Sequence, residues 1–419
     1  MSNSTRALLW RMAPSIYGPT ILFSLGQYAM LPVIPVIAVG MGAGLGMSGF
    51  IASAAVVGQL AGNLPASWLV SRVGERVAML AAAGVAVFGA AGVALAPNLA
   101  VLGLSVFVVG FAAATVALAR HSFMTTRVPV AFRARALSLI GGSHRLGRFA
   151  GPFLAAGLLA ATASSAAPVW AFAVCLGLAA LLLGFARDPE RVIAVVSERD
   201  PRRTEEATED VSEARRGGVV AAMRAGRGGL LRVGGSAAAL AGLRAAKDVL
   251  LPLWGVSIGM DAAGVALVVG ISGTVDFALF YVSGQVMDRF GRLWAALPAT
   301  IAMALSFLTL AFTHDLPDAE AWLIGCAVAI GIGNGLSSGI NLTLGSDLAP
   351  RGDPAPYLAA WRTITDFGGA TAPLAVSAIA AASMPLASAA TGVLALLGIA
   401  GFARWIPRYV PRERDGREP

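Results

Sequence analysis

Apolar residues run along this chain in blocks bounded by short charged or turn segments. Each block is about 20 residues or longer, which at 1.5 Å rise per residue spans the roughly 30 Å hydrocarbon core of a bilayer. Bounding the blocks by charge and turn residues predicts helices near 15–39, 47–70, 77–96, 100–126, 136–162, 167–186, 234–257, 263–287, 293–313, 321–346, 356–380 and 386–406. The pattern therefore predicts an all-α membrane protein of twelve transmembrane helices.

Composition agrees with the pattern. With 57% hydrophobic and 13% charged residues, there is too little polar surface to cover a water-soluble globule. The first run follows Arg6 and Arg11 and could be mistaken for a secretory leader. It continues to about Gly40, well past a leader's apolar core of 7–15 residues, and is read as a retained first helix. Cys175 and Cys326 fall inside apolar spans and imply no disulfide framework. The net charge of +8 would point a soluble chain toward nucleic acid. Here the arginines sit in short loops, so orientation in the membrane explains them and no nucleic-acid partner is expected.

The loops sort by charge. One set holds Arg6 and Arg11; Arg72 and Arg76; Arg127, Arg133 and Arg135; the 187–232 linker; Arg289 and Arg292; Arg351; and the tail from Arg408 to Arg417. The other set, around Gly42 to Gly46, Pro97 to Asn98, Ser164 to Ala167, Asp261, His314 to Glu320 and Ser383, has no Lys or Arg. The positive-inside rule then places both termini in the cytoplasm of a multi-pass inner-membrane protein and supports an even helix count. The linker carries 10 Arg and 9 Asp or Glu, including the Glu205-Glu206 and Arg215-Arg216 runs. Its last part, Val219 to Leu231 with Arg224 and Arg227, suits the anionic inner leaflet; a flexible tether is the competing account. The expected organisation is an N-terminal bundle over 1–186, the linker over 187–232, a C-terminal bundle over 233–407 and a tail over 408–419.

One loop says more than "membrane". Gly284, Asp288, Arg289, Gly291 and Arg292 have the spacing of a loop motif, and the stretch resembles the one that members of the major facilitator superfamily carry between the second and third helices and again between the eighth and ninth. Sliding the chain by 217 positions lays Arg289 on Arg72, Gly291 on Gly74, Pro252 on Pro35 and Asp276 on Gln59. A slide of 221 lays Gly331 on Gly110, Pro373 on Pro152, Asn341 on Arg120 and Asp366 on Arg145. The two halves read as copies of one unit, and the resemblance implies two pseudo-symmetric six-helix bundles with the substrate path between them. The first-half loop is degraded: Ser71 stands where Asp288 stands in the second, followed by Arg72, Gly74 and Arg76. The resemblance implies a latching role for Asp288 with Arg289 and Arg292. In the fifth span, Gly147, Gly151 and Pro152 resemble the motif of the superfamily's proton-coupled efflux branch; glycine permits close helix approach and proline loosens the backbone ladder. The family's arginine near the start of the fourth helix is missing, since Val106 to Gly110 offer none.

The sharper signal is charge in mid-membrane. Arg145 and Arg148 lie about 15 and 20 Å deep at helical rise. Arg244, Lys247 and Asp248 in the seventh span, Asp276 in the eighth and Asp366 in the eleventh lie at similar depth, with Arg120 shallower in the fourth. Seven deep charges facing lipid would cost on the order of 20 kcal/mol, comparable to a domain's whole stability, so they must face each other or water. Spacing puts Arg145 and Arg148 on one face with His144, and pairs Arg244 with Asp248 at i,i+4 beside Lys247. The resemblance further implies partners between the halves, Arg145 or Arg148 with Asp276 and Gln59 with Asp366. Static ion pairs are the competing account. Pairs that break on protonation suit a switch better, because buried pairs contribute weakly to stability. Lys247 is the chain's single lysine, a compact cation whose pKa shifts readily when buried.

Five deep or semi-deep cations (Arg120, Arg145, Arg148, Arg244, Lys247) face three anions (Asp248, Asp276, Asp366), which leans toward an anionic substrate. Tyr28, Phe123, Trp254 and Trp361 would suit an amphipathic one, or are simple packing. Gly331, Gly335 and Gly339 of the tenth span read as a close-packing seam, with Asn334 nearby and Asn341 facing the path. Of the three histidines, His121 carries no assignment, His144 sits among arginines as either a titrating or a structural group, and His314 reads as solvated in an acidic loop. The sequence thus points to a monomeric secondary transporter of a small organic solute, proton-coupled and exporting, with uptake by symport as the runner-up. No cofactor or metal is expected. A membrane-embedded enzyme would need a nucleophile, base or metal cluster, and no His-x-x-x-x-Asp, Cys/His cluster or Gly-rich phosphate loop is present. A non-transporting sensor or partner subunit on the same fold remains compatible with the loss of the first-half Asp.

Overall fold

The computed structural model describes residues 17–126, 130–185, 226–350 and 354–410. Arg6, Arg11, Arg127, Arg351, the linker through Arg224 and the tail beyond Val410 lie outside the described residues, as do the side chains of Arg133 and Arg135. Every regular element among the described residues is helical, and they make twelve spans. In chain order these are α1 (Gly18–Gly40), α2 (Leu45–Val73), α3 (Glu75–Ala94), α4 (Leu99–Thr126), α5 (Val130–Thr162), α6 (Ala167–Phe185), α7 (Arg227–Ser257), α8 (Ala262–Phe290), α9 (Arg292–Phe312), α10 (Ala319–Leu348), α11 (Ala355–Ala380) and α12 (Met384–Tyr409).

Nine of the described helices are long and apolar enough to cross a membrane. The other three are α5, α7 and α11, the spans that carry most of the deep charges. Apolar side chains cover the outside: Leu64, Phe88 and Phe185 are each at least 80% exposed, which water would oppose and lipid tails accept.

Helix ends follow local chemistry. Gly74 and Gly291 adopt φ of +79° and +89°, a left-handed turn that costs glycine nothing and lets one helix end and the next begin within a residue. Pro32 and Pro35 break the α-helical ladder of α1 into a short tighter turn at Leu31–Val33, as missing amide donors dictate. Two predicted starts fall short. The structure begins α5 at Val130 rather than 136, and α7 at Arg227 rather than 234. The extra turn of α5 is rich in alanine and arginine, good helix formers; that of α7 carries Gly228 and Gly229 and is held by packing, with Leu230 and Val233 buried.

The chain folds as two compact units, Met1–Glu206 with Met260–Gly270, and Ala207–Gly259 with Ile271–Pro419. In the first, α2 lies along α4, α1 along α5 and α6, and α3 along α4 and α6; in the second, α7 lies along α11 and α12, and α9 along α10 and α12. Small residues set these approaches. A Cβ at Gly110 would stand 1.9 Å from the Ala55 carbonyl oxygen, and one at Gly58 would stand 2.1 Å from that of Phe107, so α2 and α4 touch backbone to backbone. The same contact recurs in the second unit, where a Cβ at Gly331 would meet the Ser272 carbonyl oxygen at 2.6 Å. Gly110 and Gly331 are equivalent under the 221-residue slide and Ala55 and Ser272 under the 217-residue slide, so the internal repeat is a repeat of packing.

Candidate functional site

In the first unit the fifth-span motif seats α5 on α1. Cβ atoms at Gly147 and Gly151 would fall 2.5 Å from Ser24 Cβ and 2.7 Å from the Leu25 carbonyl oxygen. Substituents larger than hydrogen at these two positions would part the helices. The close approach brings His144 Nδ1 to 2.7 Å from Ser24 Oγ and sets the His144 ring edge-on to Tyr28, centroids 5.6 Å apart. Arg148 lies over the same Tyr28 ring, its guanidinium carbon 5.2 Å from the centroid. Of the aromatic side chains considered for a substrate path, Tyr28 is therefore held between a histidine and an arginine. Arg145 and Arg120 are half-buried on α5 and α4, while Gln59 of α2 is exposed within its unit.

The second unit holds its charges differently. Lys247 is 4% exposed and Asp276 3%, both on helix faces turned inward. Spacing places Asp248 beside Arg244 and Lys247; Asp248 pairs with Lys247, Nζ to Oδ1 at 2.6 Å, and Arg244 also reaches α10. There its Nη2 donates to the carbonyl oxygen of Ser337 and to Ser337 Oγ at 2.7 Å.

That contact lies at a break in α10. The helix stops at Leu336, Gly339 turns with φ +81° into the left-handed region, and a second segment runs over Ile340–Leu348. The expected seam is thus corrected: Gly331 and Gly335 pack against α8, at Ser272 and at Leu279 and Asp276, while Gly339 makes the break. The C-terminal end of the first segment presents backbone carbonyls, the negative end of a half-helix, and Arg244 supplies the matching cation. Ser283 Oγ of α8 donates to the Ser338 carbonyl at 2.6 Å. Asn341 Nδ2 donates to the Ala237 carbonyl of α7 at 3.2 Å, and the Oδ1 atoms of Asn334 and Asn341 are buried with no hydrogen-bond partner among the described residues. Two buried acceptors beside a helix break are a place for water or a polar solute group. Sequence reasoning missed Ser337 and Ser338; the signal was the run Ser337-Ser338-Gly339, helix-poor residues in mid-span.

Asp366 lies half-buried on α11 and pairs with Arg362 one turn away, Nε to Oδ2 at 3.5 Å. Arg362, absent from the sequence tally, offsets that carboxylate and raises the cationic surplus. Trp254 and Trp361 are packing residues. Trp254 is fully buried and donates to the Leu310 carbonyl at 3.2 Å, and Trp361 donates to the Asn341 carbonyl at 2.8 Å. Phe123 is buried, as are the thiols of Cys175 and Cys326. His314 is corrected too. It packs edge-on to Trp254, centroids 5.4 Å apart, with Nε2 2.9 Å from Ser257 Oγ and Nδ1 2.7 Å from Asp315 Oδ1, so only its acidic neighbour is solvated.

The paired loops are built from the turn glycines outward. After Gly291, Arg292 reaches Asp347 at the end of α10, Nε to Oδ2 at 2.9 Å. Asp288 and Arg289 are exposed, with Gly284 one turn earlier on α8, and Arg289 lies over Phe290 at 5.3 Å. Arg72 lies over Trp68 at 5.4 Å. Arg76 donates from Nε and Nη2 to the carbonyls of Leu183 and Gly184 at 2.9 and 2.8 Å, closing the end of α6. Asp347 is the loop partner that sequence reasoning missed, an isolated acid at the end of the tenth span. Pro152 lies buried inside α5 without ending it.

The sequence profile of the Major Facilitator Superfamily matches residues 19–373 and 248–418. Among curated proteins none matches this chain. Solved structures share its fold. A POT family transporter in complex with a thioalcohol-conjugated peptide superposes with a TM-score of 0.71 at 14% identity, over 92% of this chain and 93% of that one. A D-xylose-proton symporter gives 0.70 at 13% identity, over 96% and 98%. The xylose transporter XylE from E. coli, in a partially occluded inward-open conformation, gives 0.66 at 15% identity, over 95% and 99%.

Proposed function

The chain belongs to the Major Facilitator Superfamily, and from that membership we propose that it is a secondary active transporter working by alternating access, coupled to protons and exporting a small organic solute. The observation that carries the coupling is the pair of ionisable groups Lys247 and Asp276, 4% and 3% exposed in helices that cross the membrane. Charges so placed are costly, are held by partners such as the Asp248 carboxylate on Lys247, and commonly mark ion or proton pathways. Protonating a buried carboxylate removes one charge from its cluster and so changes which arrangement of the cluster is stable. Asp248, Asp276 and Asp366 are the proton sites in this reading, opposed by Arg145, Arg148, Arg244 and Lys247, with Arg120, Asn341 and Gln59 contributing to solute contact. The surplus of cations, now including Arg362, favours a solute with a negative charge, and Tyr28 suits an amphipathic one.

Export rests on the close α1–α5 seam at Gly147 and Gly151 and its likeness to the efflux motif. Uptake by symport is the second reading, favoured by the likeness to a D-xylose-proton symporter. The arginine asymmetry of the loops supports an inner-membrane protein with both termini in the cytoplasm, and a monomer is the family's default.

The test is flux in proteoliposomes under an imposed pH gradient, across organic anions and cationic amphiphiles, with Asp276→Asn beside the native chain. Native flux that follows the gradient and loses its dependence on it in Asp276→Asn is the expected result. Unchanged coupling in the variant removes Asp276 from the mechanism, and no flux for any solute class moves the chain to a sensor or partner role.

A further inference from the structure

At the end of the second unit where α7 starts and α12 finishes, three guanidinium groups gather on one indole. Arg232 of α7 stands over Trp405 with its central carbon 4.6 Å from the ring centroid. Arg404, the residue before Trp405 on α12, and Arg408, three residues after it, lie 5.3 and 5.4 Å from the same centroid. Arg232 also donates to Tyr409 Oη at 2.5 Å and lies 5.9 Å from the Tyr409 ring. The arrangement is built: Trp405 and Tyr409 are stacked edge-on at 6.3 Å and half-buried, and all three arginines are exposed.

Three cations around one ring repel each other, and cation–π attraction of about 0.5–1 kcal/mol at an exposed site offsets little of that. Among the described residues no carboxylate lies within ion-pair distance of Arg232, Arg404 or Arg408. Neither α12 nor the first turns of α7 contain an acidic residue. None of the described residues supplies the compensating negative charge, and an anionic group of the surrounding bilayer would. The site lies at the mouth of two membrane-crossing helices, marked by a Trp–Tyr pair of the kind that sits at headgroup depth. Leu231 beside it is 74% exposed and Leu397, about two turns before Trp405 on α12, is 65% exposed, which provides an apolar wall for acyl chains.

We propose that Arg232, Arg404 and Arg408, ordered by Trp405 and Tyr409, form a binding site for the phosphate of an anionic phospholipid headgroup. Guanidinium forks match phosphate oxygens in geometry and charge, and basic pockets between membrane helices on the cytoplasmic side are suited to anionic headgroups. The site is separate from the proton and solute groups proposed above and stands or falls without them.

The test is thermal unfolding of the full chain in a neutral detergent, titrated with phosphatidylglycerol or with phosphatidylcholine, and separately with glycerol 1-phosphate and inorganic phosphate. Phosphatidylglycerol is expected to raise the unfolding temperature saturably and phosphatidylcholine to leave it unchanged. Each of Arg232→Gln, Arg404→Gln and Arg408→Gln is expected to weaken the apparent affinity about fivefold, and all three together about a hundredfold. Equal stabilisation by the two lipids overturns the proposal, as does an unchanged titration in the triple variant. Stabilisation by the soluble phosphates as strong as by phosphatidylglycerol also overturns it, because the site would then take a free phosphate. If the triple variant does not fold, Arg404→Gln and Arg408→Gln decide singly, both being exposed changes on an otherwise intact helix.

Discussion

Gly110→Ala tests whether backbone contact between α2 and α4 holds the first unit together. An added Cβ would lie 1.9 Å from the Ala55 carbonyl oxygen, 2.7 Å from its carbon and 2.8 Å from Ala55 Cα. An ordinary carbon–oxygen contact needs about 3.3 Å, so the helices must part by roughly 1.4 Å. None of the atoms met is the far end of a flexible side chain, so no rotamer change relieves the clash. Overpacking of this kind costs about 1–3 kcal/mol, and lipid tails offer no hydrophobic force to push the helices back together. Alanine's better helix propensity returns up to about 1 kcal/mol. A net loss of about 1–2 kcal/mol is expected. The assay is thermal unfolding in detergent followed by a thiol-reactive dye, since Cys175 and Cys326 are both buried and report loss of packing in each unit. Gly177→Ala is the control, because a Cβ there meets open space; it should unfold at or slightly above the native temperature. If Gly110→Ala unfolds with Gly177→Ala, the backbone contact is not what fixes this pair of helices.

Three further outcomes follow from the second unit and the first. Gly339→Ala should destabilise by about 1–2 kcal/mol from its left-handed φ alone, since its Cβ would meet only Met287 Cε at an ordinary 3.7 Å; Gly339→Asn should lose less, and equal losses in thermal unfolding would refute the backbone account. Lys247→Met should cost about 1–3 kcal/mol by stripping the ion-pair partner from Asp248, which retains 34% exposure and therefore some hydration; the double variant with Asp248→Asn should recover most of it in the same assay. Arg148→Gln should raise the KM for an anionic solute with little change in kcat, as loss of a binding contact does, and a fall in kcat alone would assign Arg148 a different role.

Much of the fold was legible because bilayer thickness dictates run length. Nearly all span limits read from hydropathy fall within a few residues of the observed helices, and the exceptions have one cause. At the starts of α5 and α7 arginine bounds an apolar run without bounding a helix, since helicity depends on backbone hydrogen bonds, propensity and packing rather than on hydropathy. The break in α10 was hidden for the opposite reason. Gly331, Gly335 and Gly339 share a spacing, yet two make close contacts and the third turns the chain, a difference set by what lies opposite each. Deep charges were visible one by one. Partners were harder to read: Arg362, one turn from Asp366, was passed over although the i,i+4 spacing was there, while Arg244 with Ser337 and Arg292 with Asp347 span 93 and 55 residues, and no local pattern encodes such a pairing.

The internal repeat preserves packing far better than chemistry. Leu25 against Gly151 in the first unit corresponds to Gly242 against Ala372 in the second, and in each a small residue lets helices meet. Side chains at equivalent places diverge. Glu75 and Arg292 coincide under the 217-residue slide, and each ties the start of its helix to the last turns of the next helix. Glu75 does so by accepting a hydrogen bond from Ser122 at 3.1 Å, Arg292 by an ion pair with Asp347. The same mechanical tie is made with opposite charge. The deep groups divide in a similar way: Arg120, Arg145, Arg148 and His144 of the first unit are all basic, while Asp248, Asp276 and Asp366 all belong to the second. A carboxylate loses its charge on protonation, whereas a guanidinium keeps its charge at any physiological pH. The carboxylates named in the proposed proton coupling therefore all lie in the second unit, and the deep groups named in the first are basic. Packing repeats between the two units, while the sign of their deep charges does not.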